Sequence, residues 1–552
     1  MKKKLSILML LVIFFLSSCK QSLEEEMYSQ VTDNHLNTPA GFEDGVRASY
    51  VPLRSFYGVE AGFTVTVFGT DTYTMGRDGS YKAFNQYTSQ LNPSEVILKN
   101  IWRDFYQGIN TCNAVISRTE SAAVAPEIKK KRLAEVRFLR AHYYFILVQM
   151  FGPVHLSLEE VKGVAISAQR TPIGEIYKTI VGDLEQAIID LPIIPDMYGR
   201  VTKPAAEHLL SRVLLTRASS DAAEKDDYTK AAEYAIKVIK NYNFKLLSNF
   251  GDVFLPEPGD RNAEIVWAVQ YTSNQRANGE GNRGHFFYVM DYRTLSLGVT
   301  NSINNGRPWT RFRPTDFTLE TLFKDRVNDT RYEKTFQTVY YCNSPRTVTL
   351  KNGKQVSLAL GDTAIWLPGF NLPDADAFKK NYEVLRPKDY SSQWYPTLTK
   401  FLDINLPNLG ENRGSRDFLA FRLAETYLIA AEALLLSGKN TEALEYINMI
   451  RGRAARQSSD PAVARRYSDA MKIDGKDLTL DFILDERGRE LLGEQFRWFD
   501  LVRTKKLLER VKLYNRDAAT NIKDFHSLRP IPQEQIDRTE GGNDAFPQNT
   551  GY

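Results

Sequence analysis

One stretch, residues 134–156, constrains the fold of this chain more than any other; it reads AEVRFLRAHYYFILVQMFGPVHL. Apolar residues recur in it at helical spacing along two rows, namely Phe138, Ala141, Phe145 and Val148, and Leu139, Tyr143, Ile146 and Met150. From Ala141 onward the run is apolar almost all round, which predicts a helix buried on several sides. Gly152 and Pro153 mark its end. Residues 141–151 are far fewer than the roughly 20 needed to cross a bilayer, so the stretch predicts a core helix.

The length of the chain leaves several architectures open, and its charge argues against nucleic acid as a partner. The chain has 552 residues, enough for two or more domains or for one large helical domain with an insertion. With 71 basic and 67 acidic residues the net charge is +4, too balanced for a nucleic-acid-binding surface. The three cysteines are too few for a disulfide framework. Whether Cys112 and Cys342 pair depends on the fold.

The N-terminus has the pattern of a targeting and anchoring segment. Residues 1–18 combine a basic start with the short apolar run Leu5–Leu16, which predicts a signal peptide. Leu16-Ser17-Ser18-Cys19 resembles the bacterial lipobox, which implies cleavage before Cys19 and acylation of Cys19. Residues 19–40 would then be a lipidated tether, and Glu24–Glu26 resembles the acidic tag that directs Bacteroidetes lipoproteins to the cell surface. An ordinary secretory peptide and a plain solvated tether are the alternatives.

Helical patterns fill most of the remaining chain. The predicted helices are 41–57, 98–118, 173–191, 203–219, 228–241, 416–437 and 441–454, with helical segments across 478–508. The segment AETYLIAAEALLLSGKNTEALEYINMI resembles a tetratricopeptide repeat, in which small residues let two antiparallel helices approach. Such pairs stack into a continuous core.

Two regions break the helical pattern and are therefore candidate binding loops. Residues 63–90 contain several glycines among polar and aromatic residues, which predicts a loop. Residues 271–415 are rich in Gly, Asn, Pro and aromatic residues, with a small hairpin predicted at Thr347–Leu350 beside Asn352-Gly353. Loops on a rigid scaffold often carry binding residues, so the insertion is the first place to look for function.

No motif for catalysis, a metal or a cofactor is convincing. Gly279–Gly284 matches G-x-G-x-x-G, but polar residues separate it from the preceding strand-like run, and the sequence after it predicts no helix. Glu486, Glu490 and Glu494 allow a glycosidase interpretation, but arginines in the same segment explain them as ion pairs. The six histidines form no zinc motif. We therefore expect no catalytic residue, metal or cofactor.

The remaining candidates are aromatic and polar side chains in the two irregular regions. A sugar presents apolar C–H faces and a rim of hydroxyls, so a sugar site needs flat rings together with directional hydrogen-bonding groups. The candidates are Asp71, Tyr73, Arg77 and Tyr81 in the first loop, and Tyr288, Tyr292, Trp309, Arg311, Trp366 and Trp394 in the insertion. The alternative for each is packing within its own loop.

The chain resembles the RagB/SusD family of nutrient-binding lipoproteins. The resemblance rests on the lipobox, FLRAHYYF followed by FGPV, the divided tetratricopeptide-like helices, and ERGREL…RWFDL. It implies a mainly all-α fold with minor β structure: an N-terminal helical part (41–270), the loop-rich insertion (271–415) and a C-terminal helical part (416–552). It also implies an outer-membrane lipoprotein, facing the extracellular side, that binds a glycan without catalysis and partners a TonB-dependent SusC-like transporter. A RagB-like peptide importer is the alternative, and a glycoside hydrolase is a third, weaker one.

Overall fold

The computed structural model describes residues 37–552, so the predicted signal peptide, Cys19 and the acidic tag lie outside the described residues. The fold is a helical scaffold with short strands, which confirms the predicted mainly all-α class. Its N-terminal helices are α1 Pro39–Ala48, α2 Glu60–Val67, α3 Ala83–Gln86, α4 Val96–Arg118, α5 Pro126–Phe151, α6 Ile173–Asp190, α7 Lys203–Arg217 and α8 Asp227–Asn241. Within residues 37–552, no helix combines the length and the apolar character that crossing a membrane requires.

The core helix is α5, and the structure confirms its burial on several sides. Almost every side chain from Ala134 to Phe151 is buried. The helix ends where predicted, at Gly152, whose φ of +72° lies in the region that side chains disfavour. Its N-terminal half is longer than the apolar pattern suggested, because the helix begins at Pro126, a residue well suited to a first turn.

The helices divided by the insertion pack against each other. The C-terminal helices are α12 Leu423–Leu436, α13 Asn440–Ala454, α14 Pro461–Met471, α15 Leu480–Glu490, α16 Arg497–Arg503, α17 Leu507–Tyr514, α18 Gln533–Arg538 and α19 Gly542–Ala545. Helix α12 packs on α13, its sequence neighbour, and also on α8, which precedes the insertion. Apolar side chains from Phe42 to Phe546 form one continuous core.

Several local predictions were wrong. The predicted helix 41–57 is α-helical only as far as Ala48, and the predicted loop 63–90 contains strand β1, Tyr73–Met75, and helix α3. Two further cases concern residues 418–422 and 63–67. Residues 418–422 were assigned to a helix, but Phe418–Arg422 is a strand (β11) paired antiparallel with β2, Ile265–Val269. A short apolar run has no period that separates strand from helix, and here the partner strand decides. Residues 63–67 were assigned to a loop, but they complete α2, where burial of every side chain from Gly62 to Val67 outweighs its β-branched residues.

The insertion has its own small core and eight short strands. These are β3 Phe312–Pro314, β4 Phe336–Gln337, β5 Val339–Tyr341, β6 Arg346–Thr349, β7 Gln355–Leu358, β8 Thr363–Trp366, β9 Glu383–Val384 and β10 Thr397–Leu398, with short helices α9 Gly284–Phe287, α10 Arg331–Thr335 and α11 Asp374–Phe378. Strands β6 and β7 form the predicted hairpin around Asn352-Gly353, where Gly353 has φ +83°. Strands β5, β8 and β9 form a three-stranded sheet.

Candidate functional site

A two-stranded ladder joins the first candidate loop to the insertion. Strand β1, Tyr73–Met75, pairs antiparallel with β3, so that Met75 lies opposite Phe312. Beyond the ladder, the amide of Gly76 donates to the carbonyl of Arg311 at 2.8 Å. The segments 76–82 and 307–311 therefore run side by side, although more than 200 residues separate them in the sequence.

Gly76 makes this close approach possible. A Cβ atom at this position would lie 2.1 Å from the carbonyl oxygen of Thr310, a distance that no side chain tolerates. Gly79, three residues later, has open space around the corresponding position. The backbone contact thus requires glycine at 76 and leaves 79 free.

Arg311 is the centre of the cluster that this contact creates. Its guanidinium forms ion pairs with Glu60 and, at 3.1 Å from Nε to Oδ1, with Asp78. The guanidinium carbon lies 5.5 Å from the ring centre of Tyr81 and 5.8 Å from that of Trp309. Arg311 itself is buried, whereas both rings are half-buried and reach the surface. The buried guanidinium therefore acts on the two rings from within, by cation–π contact.

Trp309 also stacks on a buried ring of the protein interior. Its ring stacks on Phe286, with a centroid distance of 5.1 Å and an interplanar angle of 22°. One flat ring face is therefore supported by protein, which fixes the plane of the indole. A ring fixed in this way is a low-entropy platform for an apolar ligand face.

Strained backbone coincides with the cluster. Tyr81 and Thr310 have φ values of +56° and +47°, which are costly for residues other than glycine and a genuine outlier for a β-branched one. Such conformations cost of order 1–3 kcal/mol each and concentrate at functional sites. Here they lie at Tyr81 itself and at the residue directly after Trp309.

A second group of polar residues, around Asp291, lies beside Arg77 and adjoins the surface formed by Tyr81 and Trp309. Asp291 accepts from Arg77 Nη1 at 3.2 Å and from Arg293 Nε at 2.8 Å, and Arg77 Nη1 lies 3.3 Å from Gln393 Oε1. Both arginines stay about half exposed, so they have donors left for a ligand. We call the whole surface the platform; it comprises Tyr81, Trp309, Arg77, Arg293, Gln393 and Trp394.

Trp394 lies at the far end of the platform. Its indole N–H donates to Thr294 Oγ1 at 2.9 Å, and the Lys351 ammonium lies 4.0 Å from its ring centre. The ring is half-buried. Of the ten candidate ligand residues, the structure therefore brings Arg77, Tyr81, Trp309, Arg311 and Trp394 together.

Asp71 has a different environment from the one expected of a ligand residue. It is fully buried and accepts from Arg497 at 2.7 and 2.6 Å and from Arg510 at 2.6 Å. Burial alone would raise the pKa of its carboxyl, but the two guanidiniums hold that pKa below its ordinary value. Asp71 joins the first loop to the C-terminal helices and presents no atom to a ligand.

Three of the tyrosine candidates are also interior residues. Tyr73, Tyr288 and Tyr292 are each at most 1% exposed. Tyr288 donates to the carbonyl of Gly493, and Tyr292 donates to that of Gly306 at 2.7 Å. Their rings hold the two loops on the scaffold, and their pKa values are raised by burial.

Trp366 lies apart from the platform residues, on β8. Its ring meets Phe370 and Tyr382 edge to face, with both centroid distances 6.3 Å. It is half-buried. The structure thus places this candidate in a second aromatic group.

The carboxylates considered for glycoside hydrolysis are locked in ion pairs. Glu486 and Glu490 are fully buried, and Arg331 lies 2.8 and 3.1 Å from their carboxylates. Burial by itself would raise the pKa of both carboxyls, but the surrounding arginines lower it far below the usual range. A general acid needs the opposite shift, so these two residues are structural. Within residues 37–552, no three His, Cys, Asp or Glu side chains are grouped to hold a metal ion.

Sequence reasoning missed two platform residues, Arg293 and Gln393, and three charged residues that contact the platform or Arg311, namely Asp78, Glu60 and Lys351. Asp78 lies between two candidates and could have been found from that spacing. Glu60, Arg293, Gln393 and Lys351 have no local signal, because only the folded chain brings them beside the candidate rings. Cys112 and Cys342, whose pairing was open, are both buried free thiols.

Comparisons with known proteins identify the scaffold. The chain is 24% identical to the SusD-like protein P25 of Formosa agariphila over the full length of both chains, and 24% identical to the starch-binding protein SusD of Bacteroides thetaiotaomicron, with 80% of this chain and 76% of that one covered. A solved structure described as a laminarin-binding SusD-like protein shares the fold with a TM-score of 0.66 and 24% identity, covering 94% of this chain and 100% of that one. A family model described as "Starch-binding associating with outer membrane" matches residues 23–215. The model described as "SusD family" matches residues 263–552, more than half of the chain, and the protein therefore belongs to the SusD family.

Proposed function

We propose that this protein captures a glycan on the platform and, without catalysis, passes it to a TonB-dependent SusC-like transporter. One observation carries the proposal: Tyr81 and Trp309 present two fixed rings at the surface around one buried arginine. Rings fixed by cation–π contact and by stacking suit the C–H faces of sugars. Half-exposed Arg77 and Arg293 beside them supply directional donors for sugar hydroxyls.

The family context supports the choice of ligand class. Among the relatives, one is named for starch binding and one solved structure for laminarin binding. The proposed location is the outer membrane, with the protein anchored through an acylated Cys19 and facing the extracellular side. A shallow surface of this kind suits affinities between micromolar and millimolar, about 4–8 kcal/mol.

The experiment uses the chain from Lys20 onward in isothermal titration calorimetry. The titrants are laminarin, starch, other plant and host polysaccharides, and a peptide digest. Reducing ends are measured in the same samples. We expect heat of binding for a glycan and no new reducing ends. Binding of peptides alone would replace the proposal with a peptide importer, and release of sugar would replace it with a glycoside hydrolase.

Two matched variants locate the site. Trp309→Ala removes the supported ring and is expected to abolish measurable glycan binding. Tyr467→Ala is the control, since Tyr467 is a half-buried aromatic on α14 and no part of the platform. Equal binding by the Trp309→Ala variant and the wild type would place the site elsewhere.

A further inference from the structure

We infer that a second cleft, at the small sheet of the insertion, extends the platform, so that the ligand is a long-chain glycan that contacts both. The inference rests on the proposed function and adds to it a chain-length requirement. The cleft lies between the tip of the β6–β7 hairpin and the segment from α11 to β9. Lys351, Asn352, Phe378, Tyr382 and Glu383 line it, and its volume is about 200 Å³.

Aromatic rings lie in and beside this cleft: Phe378 and Tyr382 line it, Trp366 adjoins Tyr382, and Phe370 adjoins Trp366. Phe370 and Phe378 are 50% and 49% exposed, although each is a large apolar side chain. Tyr382 and Trp366 beside them are half-buried, and Trp366 meets both Phe370 and Tyr382 edge to face. Large exposed rings that gather in one place are typical of an interaction site, whereas scattered ones are ordinary.

Packing does not account for these rings. Within residues 37–552, the apolar clusters that form the interior, together with the side chains packed against them, do not include Trp366, Phe370, Phe378 or Tyr382. By contrast, Trp394 and Tyr390 pack against the core of the insertion. The four rings therefore have apolar surface that the protein itself does not use.

Polar groups line the same cleft as the rings, as a sugar site requires. The hairpin tip supplies the Asn352 amide, and β9 supplies the Glu383 carboxylate, which accepts from the amide of Lys351 at 2.8 Å. This bond fixes the hairpin tip over β9. Rings beside fixed donors and acceptors can bind one face and the rim of a sugar unit, which a purely apolar partner would not need.

Lys351 connects the cleft to the platform. Its side chain lines the cleft, and its ammonium also lies 4.0 Å from the ring centre of Trp394, the end of the platform. The two surfaces thus share Lys351 as a common neighbour. A glycan that leaves the platform at Trp394 reaches the cleft next.

Contacts at both places on one chain act as linked binding events. The second contact is then intramolecular and multiplies the affinity, but only for a ligand long enough to span both. Short oligosaccharides would bind the platform alone. The cleft therefore selects polymers over their short fragments.

The test compares chain lengths in two variants. The probes are the polysaccharide that binds in the calorimetric panel and its short oligosaccharides, prepared by partial acid hydrolysis and size fractionation. The variant Phe378→Ala/Tyr382→Ala removes the two rings that line the cleft, and Tyr467→Ala is the control. We expect the double variant to bind the polymer about tenfold more weakly, equivalent to ~1.4 kcal/mol, and to bind the short oligosaccharides as the wild type does.

The outcomes separate this inference from the proposed function. Unchanged polymer affinity in the double variant overturns the cleft and leaves the platform intact. Equal weakening for short and long chains also overturns it, because the rings would then act on the platform itself. No glycan binding by the wild type overturns both proposals. If the double variant does not fold, hydrogen exchange on the wild type decides: the polymer should protect residues 350–353 and 377–384, and the short oligosaccharides should not.

Discussion

Asp71 and Asp291 offer a paired test of which aspartate is structural and which serves the platform. Each carboxylate is shared by two arginines, so Asp→Asn is the same chemical change at both positions. The partners differ in exposure: the side chains of Arg497 and Arg510 are 8% and 6% exposed. Arg77 and Arg293, the partners of Asp291, are 54% and 44% exposed.

The loss of stability expected for each variant follows from this difference in the exposure of the arginines. Asp71→Asn removes a charge that accepts three short hydrogen bonds from buried guanidiniums. Arg510 keeps contacts with Asp485 and Asp481, but Arg497 keeps only the carbonyl of Leu484. Breaking a buried pair in this way costs about 3–5 kcal/mol of the free energy of unfolding. The Asp291 carboxylate is also buried, but its two arginines are about half exposed and can be resolvated, so we expect a smaller loss, about 1 kcal/mol.

Urea denaturation and glycan titration of both variants supply the measurement. Asp71→Asn should unfold at much lower urea and, while folded, bind glycan normally. Asp291→Asn should unfold near the wild type and bind several-fold more weakly, because Arg77 and Arg293 lose their common anchor. Since the folded-state pKa of Asp71 is lowered, its stabilisation is present at neutral pH and lost as the pH falls through that pKa. The difference between Asp71→Asn and the wild type should therefore shrink in acid.

Two results would refute this reasoning. Equal urea midpoints for the two variants would mean that the buried ion pairs of Asp71 do not stabilise the fold. Weaker glycan binding by a folded Asp71→Asn variant would mean that Asp71 serves the ligand site despite its burial.

Three further predictions concern the backbone contact, one buried carboxyl and the thiols. Gly76→Ala should weaken glycan binding and lower the melting temperature, because its Cβ would lie 2.1 Å from a carbonyl oxygen, while Gly79→Ala, with open space there, should match the wild type in both assays. Burial raises the pKa of Asp417 to about 7, so the folded state retains a proton that the unfolded state releases near pH 4. The free energy of unfolding of the wild type should therefore fall between pH 4 and 7. Urea titrations at several pH values should show this fall in the wild type and a flatter profile in Asp417→Asn. Burial raises the pKa of Cys112 to about 12, and Cys342 is buried too, so a thiol-reactive dye should label neither in the folded chain from Lys20 onward and both after denaturation; labelling of the folded protein would contradict this burial.

The amino-acid sequence determined the helical scaffold, because helices are local structures. The row of apolar residues in α5 and the Gly152-Pro153 stop depend only on neighbours within a few turns. The hairpin at Asn352-Gly353 is local for the same reason. The family assignment followed from such local motifs and their order along the chain.

Tertiary structure alone decided which candidate residues lie at the surface, where a ligand could reach them. Asp71 and Arg77 lie in one predicted loop, yet Asp71 is buried against helices more than 400 residues later and Arg77 is exposed beside Asp291. The pairing of β2 with β11 could likewise not be predicted. A strand of five apolar residues has no periodicity that distinguishes it from a helix, and its formation depends on a partner that is distant in the sequence. Burial is set by contacts across the whole chain, whereas residue chemistry is set by the sequence. The sequence therefore supplied the kinds of side chain that a sugar site needs, and the fold decided which of them are exposed on the proposed platform.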